Sequence, residues 1–370
     1  MGFMSNLTAL LVRTTLLSLC LWQSVGSLFS SAYATESPHV IANPYVIKSP
    51  YVIKKAPAKI CALYPHLKDS YWLSVNYGMV SEAKQQGVEL RVLEAGGYPN
   101  KDKQIKQLKL CRQWQADAII LGTVDPQLYN DQLSELIGDI PLFSAVNDLE
   151  LAGESIQQLK GVIGVDWYLM GFKSGQYLAD RHPKGSGITN IVLLPGPQSS
   201  GGTKPTIQGF HDAIKNSDIK VIQSQWADND KELQRNILQE FIHLPDLKYV
   251  VGGAVAIEVA ISELRTAKKS ADIGLVATYF SHGVYRGLLR NKVEFAPSDQ
   301  MVKQGRLAII QAAHYLRNET YQNPITLEVK SLTPTTLEKN IITNSLSPSG
   351  YRPIFNVSTI EKISHRVINN

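Results

Sequence analysis

Ile60-Cys-Ala-Leu-Tyr64-Pro-His66-Leu-Lys-Asp69-Ser-Tyr71-Trp72-Leu-Ser-Val-Asn-Tyr77-Gly-Met-Val80 decides the fold. Ile60 to Leu63 carries no polar side chain, the pattern of a strand buried on both faces. Tyr64-Pro65-His66 ends it, since proline fixes its own φ and keeps the residue before it extended. Asp69 or Ser70 then caps a helix whose apolar side is Trp72, Val75, Met79 and Ala83, three and four residues apart. Gly87 stops that helix, and Val88 to Leu93 alternates like a second strand. Strand, helix and strand within about thirty residues make one βαβ unit of a parallel sheet. Ligands in such sheets sit beyond the carboxyl ends of the strands, the place held here by Asp69, Tyr71 and Trp72.

Downstream the alternation continues. Gly96-Gly97-Tyr98-Pro99-Asn100 is a turn, and Lys103 to Trp114 reads as a helix. Ala118 to Leu121 is a buried strand ending at Gly122-Thr-Val-Asp125-Pro126. Leu128 to Ile137 reads as helical, Pro141 to Val146 as a strand leading to Asn147. Ile163-Gly-Val-Asp166-Trp167 closes this half and opens a helix, Tyr168 to Ala179. A second array then repeats the scheme, with strands at Asn190 to Leu194, Lys220 to Gln223, Tyr249 to Gly252 and Ile273 to Thr278. Two consecutive βα arrays predict an α/β protein of two doubly wound parallel-sheet lobes with a cleft between them.

At 370 residues the chain is long enough for two cores. Its 37 Lys and Arg outnumber its 32 Asp and Glu, and no run of basic residues concentrates the excess. That argues against a nucleic-acid partner. Arg13 precedes the apolar stretch Leu16 to Leu28, and Ala32-Tyr33-Ala34 is a small-x-small cleavage site. Residues 1–34 therefore read as a signal peptide cut after Ala34, with the mature chain in the periplasm. The h-region is short and interrupted by polar residues, which disfavours a membrane anchor, and no later stretch is apolar enough to insert. Export leaves Cys61 and Cys111 as a lone pair in an oxidising compartment. They either form a bridge or lie buried as two small hydrophobes. Pro44-Tyr-Val-Ile-Lys48 and Pro50-Tyr-Val-Ile-Lys54 repeat within residues 35–57, where proline every six residues predicts an extended arm.

Enzyme signatures fail in turn. Gly196 to Lys204 has a glycine-rich look, but its lysine does not follow the second glycine as a phosphate loop requires. His-Glu-x-x-His, Cys-x-x-Cys and Gly-x-Ser-x-Gly do not occur. No metal set and no cofactor fingerprint stands out. His66, His211, His243, His282 and His314 are scattered and read as surface or satisfied residues. The carboxylates at strand ends, Asp69, Asp125 and Asp166, could pair for acid–base work but serve equally as helix caps. Tyr71, Trp72, Tyr98, Trp167 and Tyr279 all fall at or just after carboxyl ends of strands, which converge on one cleft. An aromatic-lined pocket suits a small ligand with a methylated, positively polarised nitrogen.

From Lys59 to Glu319 the chain resembles the type I periplasmic binding proteins of the ribose-binding superfamily. The resemblance implies a three-stranded hinge, with crossings near Gly164-Val-Asp166, Ala277-Thr-Tyr279 and Phe295-Ala-Pro297. It divides the chain into a first lobe of residues 58–165 and 278–294, a second of 166–277 and 295–330, and a tail of 331–370. Tyr64 to Gly78, Leu93 to Asn100, Ile120 to Pro126, Trp226 to Arg235 and Ser281 to Lys292 resemble more narrowly the members that sense trimethylamine N-oxide (TMAO). That likeness implies TMAO as ligand and the periplasmic sensor domain of a TorS-like membrane histidine kinase as partner, in control of TMAO respiration. Carried over residue by residue, the pocket falls on Tyr71, Trp72, Tyr98 and Trp167, with Asp69, Asp125 and Tyr279 beside them. The fold serves equally in substrate-binding components of ABC-type transporters, which is the competing expectation.

Overall fold

The structure is a computed structural model that describes residues 56–130 and 132–358. The leader, the repeated arm up to Lys55, Cys20 and the last twelve residues lie outside the described residues. The first sheet begins with β1 (Lys59–Tyr64), α1 (Ser70–Gln86), β2 (Glu89–Glu94), α2 (Lys101–Gln113) and β3 (Ala118–Leu121). It continues through α3 (Leu133–Ile137), β4 (Leu142–Ala145) and β5 (Leu159–Val165). The second is built from α4 (Trp167–Ala179), β6 (Thr189–Leu194), α5 (Thr203–Ile214), β7 (Ile219–Ser224) and α6 (Lys231–Phe241). To these it adds β8 (Leu247–Gly252), α7 (Ala254–Thr266), β9 (Gly274–Ala277) and α8 (His282–Leu289). Then come β10 (Ala296–Ser298), α9 (Met301–Leu316), β11 (Ile325–Leu327), β12 (Lys330–Leu332), α10 (Lys339–Ser345) and β13 (Asn356–Val357).

The opening unit forms as its sequence dictates. Asp69 caps α1, its Oδ1 accepting from the amides of Tyr71 and Trp72 at 3.1 and 3.2 Å. Gly87, at φ 68°, ends the helix in the left-handed region that glycine alone enters without cost. Trp72, Val75, Met79 and Ala83 are all buried. Parallel pairing runs β2-β1-β3-β4-β5, so successive strand ends point the same way. The other sheet is parallel in the order β7-β6-β8-β9. The expected α/β class with two parallel-sheet lobes is what the chain adopts.

Three expectations are corrected. Leu128 to Asn130 and Gln132 form turns rather than the start of a helix, which is confined to α3. Proline at 126 and the backbone bonds through Tyr129 hold that stretch in turns, with the amides of Gln132 and Leu133 both bonded to the Tyr129 carbonyl. The second and larger correction concerns the hinge. The chain does not cross near Ala277-Thr-Tyr279. α8 stays with the second sheet, where Gly283 lies against the Glu258 side chain of α7 and Gly287 against Val293 and Ile261. The first crossing falls after Val165, as expected, and the second between β10 and α9, just beyond Phe295-Ala-Pro297, while the third lies between β11 and β12. β10 continues the second sheet, since the Ala277 amide bonds to the Phe295 carbonyl. α9 returns to the first, crossing α1 so closely that Gly78 faces the Val302 carbonyl and Gly305 faces that of Val75. β11 then pairs with β5, and β12 pairs back with β10. Residues 278–294 thus belong with the second sheet and residues 299–327 with the first, the reverse of the expected division.

The third correction is the tail. Its described part is not a separate appendage, because α10 packs on α9 and β13 adds to β2 as an antiparallel edge strand. Asn76 of α1 fixes it, donating to the Ile354 carbonyl and accepting from Tyr351 and the Ile354 amide.

Of the two states left open for the cysteines, the structure has the bridge. Cys61 and Cys111 are joined, their Cα atoms 5.7 Å apart and both side chains fully buried, tying β1 to α2 across 50 residues of chain. Closing a loop of that size restricts the unfolded chain. Cys111→Ser should lower the unfolding free energy by about 2–4 kcal/mol in urea titrations. Alkylation of two thiols in the native exported protein without reductant would count against the bridge.

Candidate functional site

A cavity of about 40 Å3 lies between the lobes at the carboxyl ends of the strands. That is room for one molecule of a few heavy atoms, or for a few waters. Asp69, Tyr71, Trp72 and Tyr98 line it from the first lobe, Trp167 and Tyr279 from the second. Six of the seven residues expected at the site therefore meet there. Asp125 does not. Its carboxylate pairs with Lys101 at 2.5 Å and caps its own turn through the Gln127 amide, away from the cavity. The sequence placed it by its position at a strand end, but β3 turns it outward.

Three of the aromatic rings are seated on glycines. The Trp72 ring covers Gly122, the Trp167 ring covers Gly202, and Tyr279 lies against Gly253. Any larger residue at Gly122 or Gly202 would occupy the indole's place. The glycine-rich loop that failed as a phosphate loop is therefore the floor under Trp167. Asn147, Ser200, Gly202, Thr206, Asn229 and Thr278 also line the cavity and were not singled out. Asn147 and Thr278 had a signal, since both sit at the end of an expected strand.

The rings form a connected set. Tyr71 meets Trp72 edge-on at 5.8 Å and Tyr279 edge-on at 5.4 Å, while Tyr64 stacks behind Trp72 at 5.4 Å. Such geometry suits the ring quadrupoles and leaves the faces rigid. Hydrogen bonds then sort the polar tips. The Trp167 indole N–H donates to the Val146 carbonyl at 3.1 Å, so this residue offers the cavity a face and no donor. Val146 holds that carbonyl in place from φ 73°, a conformation β-branched residues rarely adopt. Asn147 donates to the Tyr98 hydroxyl at 3.2 Å and to the Thr123 carbonyl at 2.8 Å. The Tyr279 hydroxyl is buried facing the Val255 amide, with no acceptor for its own proton among the described residues, and such a group is costly unless a ligand satisfies it.

Burial raises the pKa of Tyr98 to about 12, against the hydrogen bonds from Asn147, Ser200 and Trp72. Burial also holds Tyr71 and Tyr279 well above their ordinary value, so all three remain phenols at any physiological pH. Asp69 is the cavity's one lining carboxylate, and burial raises its pKa, opposed by His66 nearby. Its Oδ1 takes both helix amides, and Oδ2 has no hydrogen bond among the described residues. His66 itself is fully buried against Tyr98, with neither ring nitrogen bonded, so it is neither a surface nor a satisfied histidine. No group of three or more His, Cys, Asp or Glu among the described residues is arranged to hold a metal ion.

Behind the cavity, the Tyr71 hydroxyl donates to Oδ2 of Asp299, which also accepts from Gln304 at 2.7 Å. Asp299 is fully buried at the crossing from β10 to α9, and burial raises its pKa to about 6. The folded protein therefore keeps a proton on Asp299 that the unfolded chain releases near pH 4. Between those values the folded state binds more protons, and this group's contribution to stability grows as pH falls from about 7 toward about 4. Asp299→Asn removes that dependence. The melting temperature of the variant relative to wild type should be more favourable at pH 7.5 than at pH 5, by a few degrees. An identical difference at both pH values would rule the buried carboxylate out as the cause.

The geometry has relatives. Residues 57–321 match the model of the periplasmic binding proteins and sugar-binding domains of the LacI family. The periplasmic protein TorT of Escherichia coli strain K12 is 41% identical over 299 residues, 80% of this chain and 84% of that protein. A crystal structure of a TorS sensor domain–TorT complex without ligand matches at 64% identity and a TM-score of 0.77, covering 80% of this chain and 100% of that one. The same complex in the presence of TMAO matches at 63% identity and a TM-score of 0.77, covering 80% and 99%. With a family match across more than half its length and an inter-lobe cavity at the strand ends, the chain belongs to the periplasmic binding proteins and LacI-type sugar-binding domains.

Proposed function

We propose that this protein is an exported receptor that binds TMAO between its lobes and reports occupancy to the sensor domain of a TorS-type membrane histidine kinase. The observation that carries the reading is the cavity itself. Five aromatic rings and one carboxylate enclose a space for a few heavy atoms, in a chain 41% identical to TorT. TMAO presents three methyl groups that share the positive charge of nitrogen, and one oxygen that carries the negative charge. The faces of Trp167, Trp72 and Tyr71 suit the methyl shell. The N–O oxygen needs donors, which the Tyr279 hydroxyl supplies. Recognition and release complete such a task, so the chain acts by binding and not by catalysis. Residues 1–34 serve as its leader, cleaved after Ala34 on export, which the N-terminal sequence of the secreted protein would check.

The solved complexes support the partner, since TorT is bound to the TorS sensor domain both without ligand and with TMAO. Capture from membranes tests it. Recovery of a histidine kinase agrees with the reading, and recovery of a transporter permease in its place would redirect it to uptake.

Ligand discrimination follows from the two ends of the site. Trimethylamine keeps the methyls but is protonated at neutral pH and carries a donor in place of the acceptor. Donors left unpaired on binding cost about 1–3 kcal/mol each, so calorimetry should find trimethylamine at least about tenfold weaker than TMAO. Trp167→Ala should weaken TMAO by about 0.5–2 kcal/mol through loss of one ring face. Tyr279→Phe should lose affinity for TMAO while barely changing that for trimethylamine. Equal affinities for the two amines in the wild type would sink this description of the site.

A further inference from the structure

Charge that the sequence scatters is gathered by the fold. Two grooves of about 270 and 660 Å3 flank α8, and Arg286 lines both. Together they present Lys231, Arg235, Arg286, Arg290, Lys292 and Arg306 against a single carboxylate, Glu258. Glu258 is already engaged, paired with Lys231 at 3.3 Å and accepting from Ser281. Arg235 is likewise matched by Glu232 and Glu263. Arg286, Arg290, Lys292 and Arg306 have no ion pair among the described residues. Arg286 and Arg290 stand four apart on the outer face of α8, with Leu289 between them 56% exposed.

The larger groove adds a second property. Tyr77, Arg306 and Leu346 reach it from the first lobe, Tyr285 and Arg286 from the second. Its floor is stitched across the lobes, the His282 amide donating to Ser70 Oγ at 3.1 Å and the His282 ring meeting the Ser347 carbonyl at 2.8 Å. Tyrosine and arginine around a concavity are residue types enriched at protein interfaces. A membrane surface would call for a convex basic face, and a free small anion would not need the tyrosine walls.

We infer that the α8 face is a docking surface for an acidic protein segment, and that its occupant is the kinase sensor domain of the preceding section, on which this inference rests. Carboxylates on the partner would meet Arg286, Arg290 and Arg306, with an apolar side chain against Tyr285 and Leu346. Because both lobes line the groove, the fit of that segment depends on the angle between them. A partner seated here reads the hinge without touching the ligand.

The test titrates the full mature protein with a purified TorS-type sensor domain by calorimetry. Arg286→Glu with Arg290→Glu should weaken sensor binding about tenfold or more and flatten its salt dependence, since charge reversal at an interface opposes encounter. TMAO affinity of the isolated variant should stay within about twofold of wild type, which also shows that it is folded. Lys106→Glu with Lys109→Glu, exposed on α2, should leave sensor binding unchanged. A wild type that binds and an α8 variant that binds equally overturns the surface alone. A wild type that does not bind the sensor domain overturns the function and the surface together. Wild-type binding to phosphatidylglycerol vesicles that the α8 pair abolishes, with sensor affinity untouched, overturns the protein partner in favour of a membrane.

Discussion

The hydrogen bond from Tyr71 to Asp299 joins the two things this protein has to keep together. Tyr71 lines the cavity, and Asp299 sits where the chain leaves β10 to begin α9. The Asp299 carboxylate is buried with one oxygen bonded to Tyr71 and Gln304 and the other unbonded among the described residues. A buried carboxylate in that condition is costly, and it persists because the hinge around it is over-determined. Gln300 beside it bonds to the Glu328 carbonyl at the neighbouring crossing, and Ser298 meets Ser345 of α10. Three consecutive residues, Ser298, Asp299 and Gln300, thereby tie the tail, the cavity wall and the neighbouring crossing to one short stretch of backbone.

Local features were legible in the sequence because their causes are local. An apolar run, a capping aspartate and a stop glycine lie within thirty residues, and β1, α1 and β2 formed where they indicated. The site was legible for a topological reason, since parallel strands deliver their carboxyl ends to one place. Asp125 shows the limit of that reasoning. A strand end fixes where a residue starts, while its side chain's direction depends on a partner, here Lys101. The lobe of α8 and α9 was not legible at all. A βα alternation reads the same whichever sheet the next strand joins, and only Gly305 against Val75, or Gly283 against Glu258, decides it. Charge was hidden likewise, for Lys231, Arg286 and Arg306 are far apart in the chain and adjacent only once α6, α8 and α9 are in place.

The cavity's chemistry favours the proposed methylated ligand over a sugar. Sugar recognition demands many hydrogen bonds in fixed directions, and here most polar tips are already spent. Trp167 donates to Val146, Tyr71 to Asp299, and Asn147 to Tyr98 and Thr123. Ring faces, the Tyr279 hydroxyl, the second Asp69 oxygen and a few small polar side chains such as Asn229 and Thr278 are what remain. These faces are locked by their glycine seats, so little ordering is needed on binding, and preorganisation of that kind converts directly into affinity.

Signal transmission sets a stricter condition than affinity. A ligand shifts an equilibrium between lobe arrangements only by the difference in its affinity for them. Contacts to one lobe alone provide no such difference. The cavity draws Asp69, Tyr71, Trp72 and Tyr98 from one lobe and Trp167 and Tyr279 from the other, so all of them engage a small ligand only when the lobes are together. A population moved from one in a hundred to ninety-nine in a hundred requires about 5.5 kcal/mol of that difference. Two or three ring faces and one satisfied hydroxyl, at about 0.5–3 kcal/mol each, are of that order. The proposed five-atom ligand could therefore work the hinge only by being held from both sides at once.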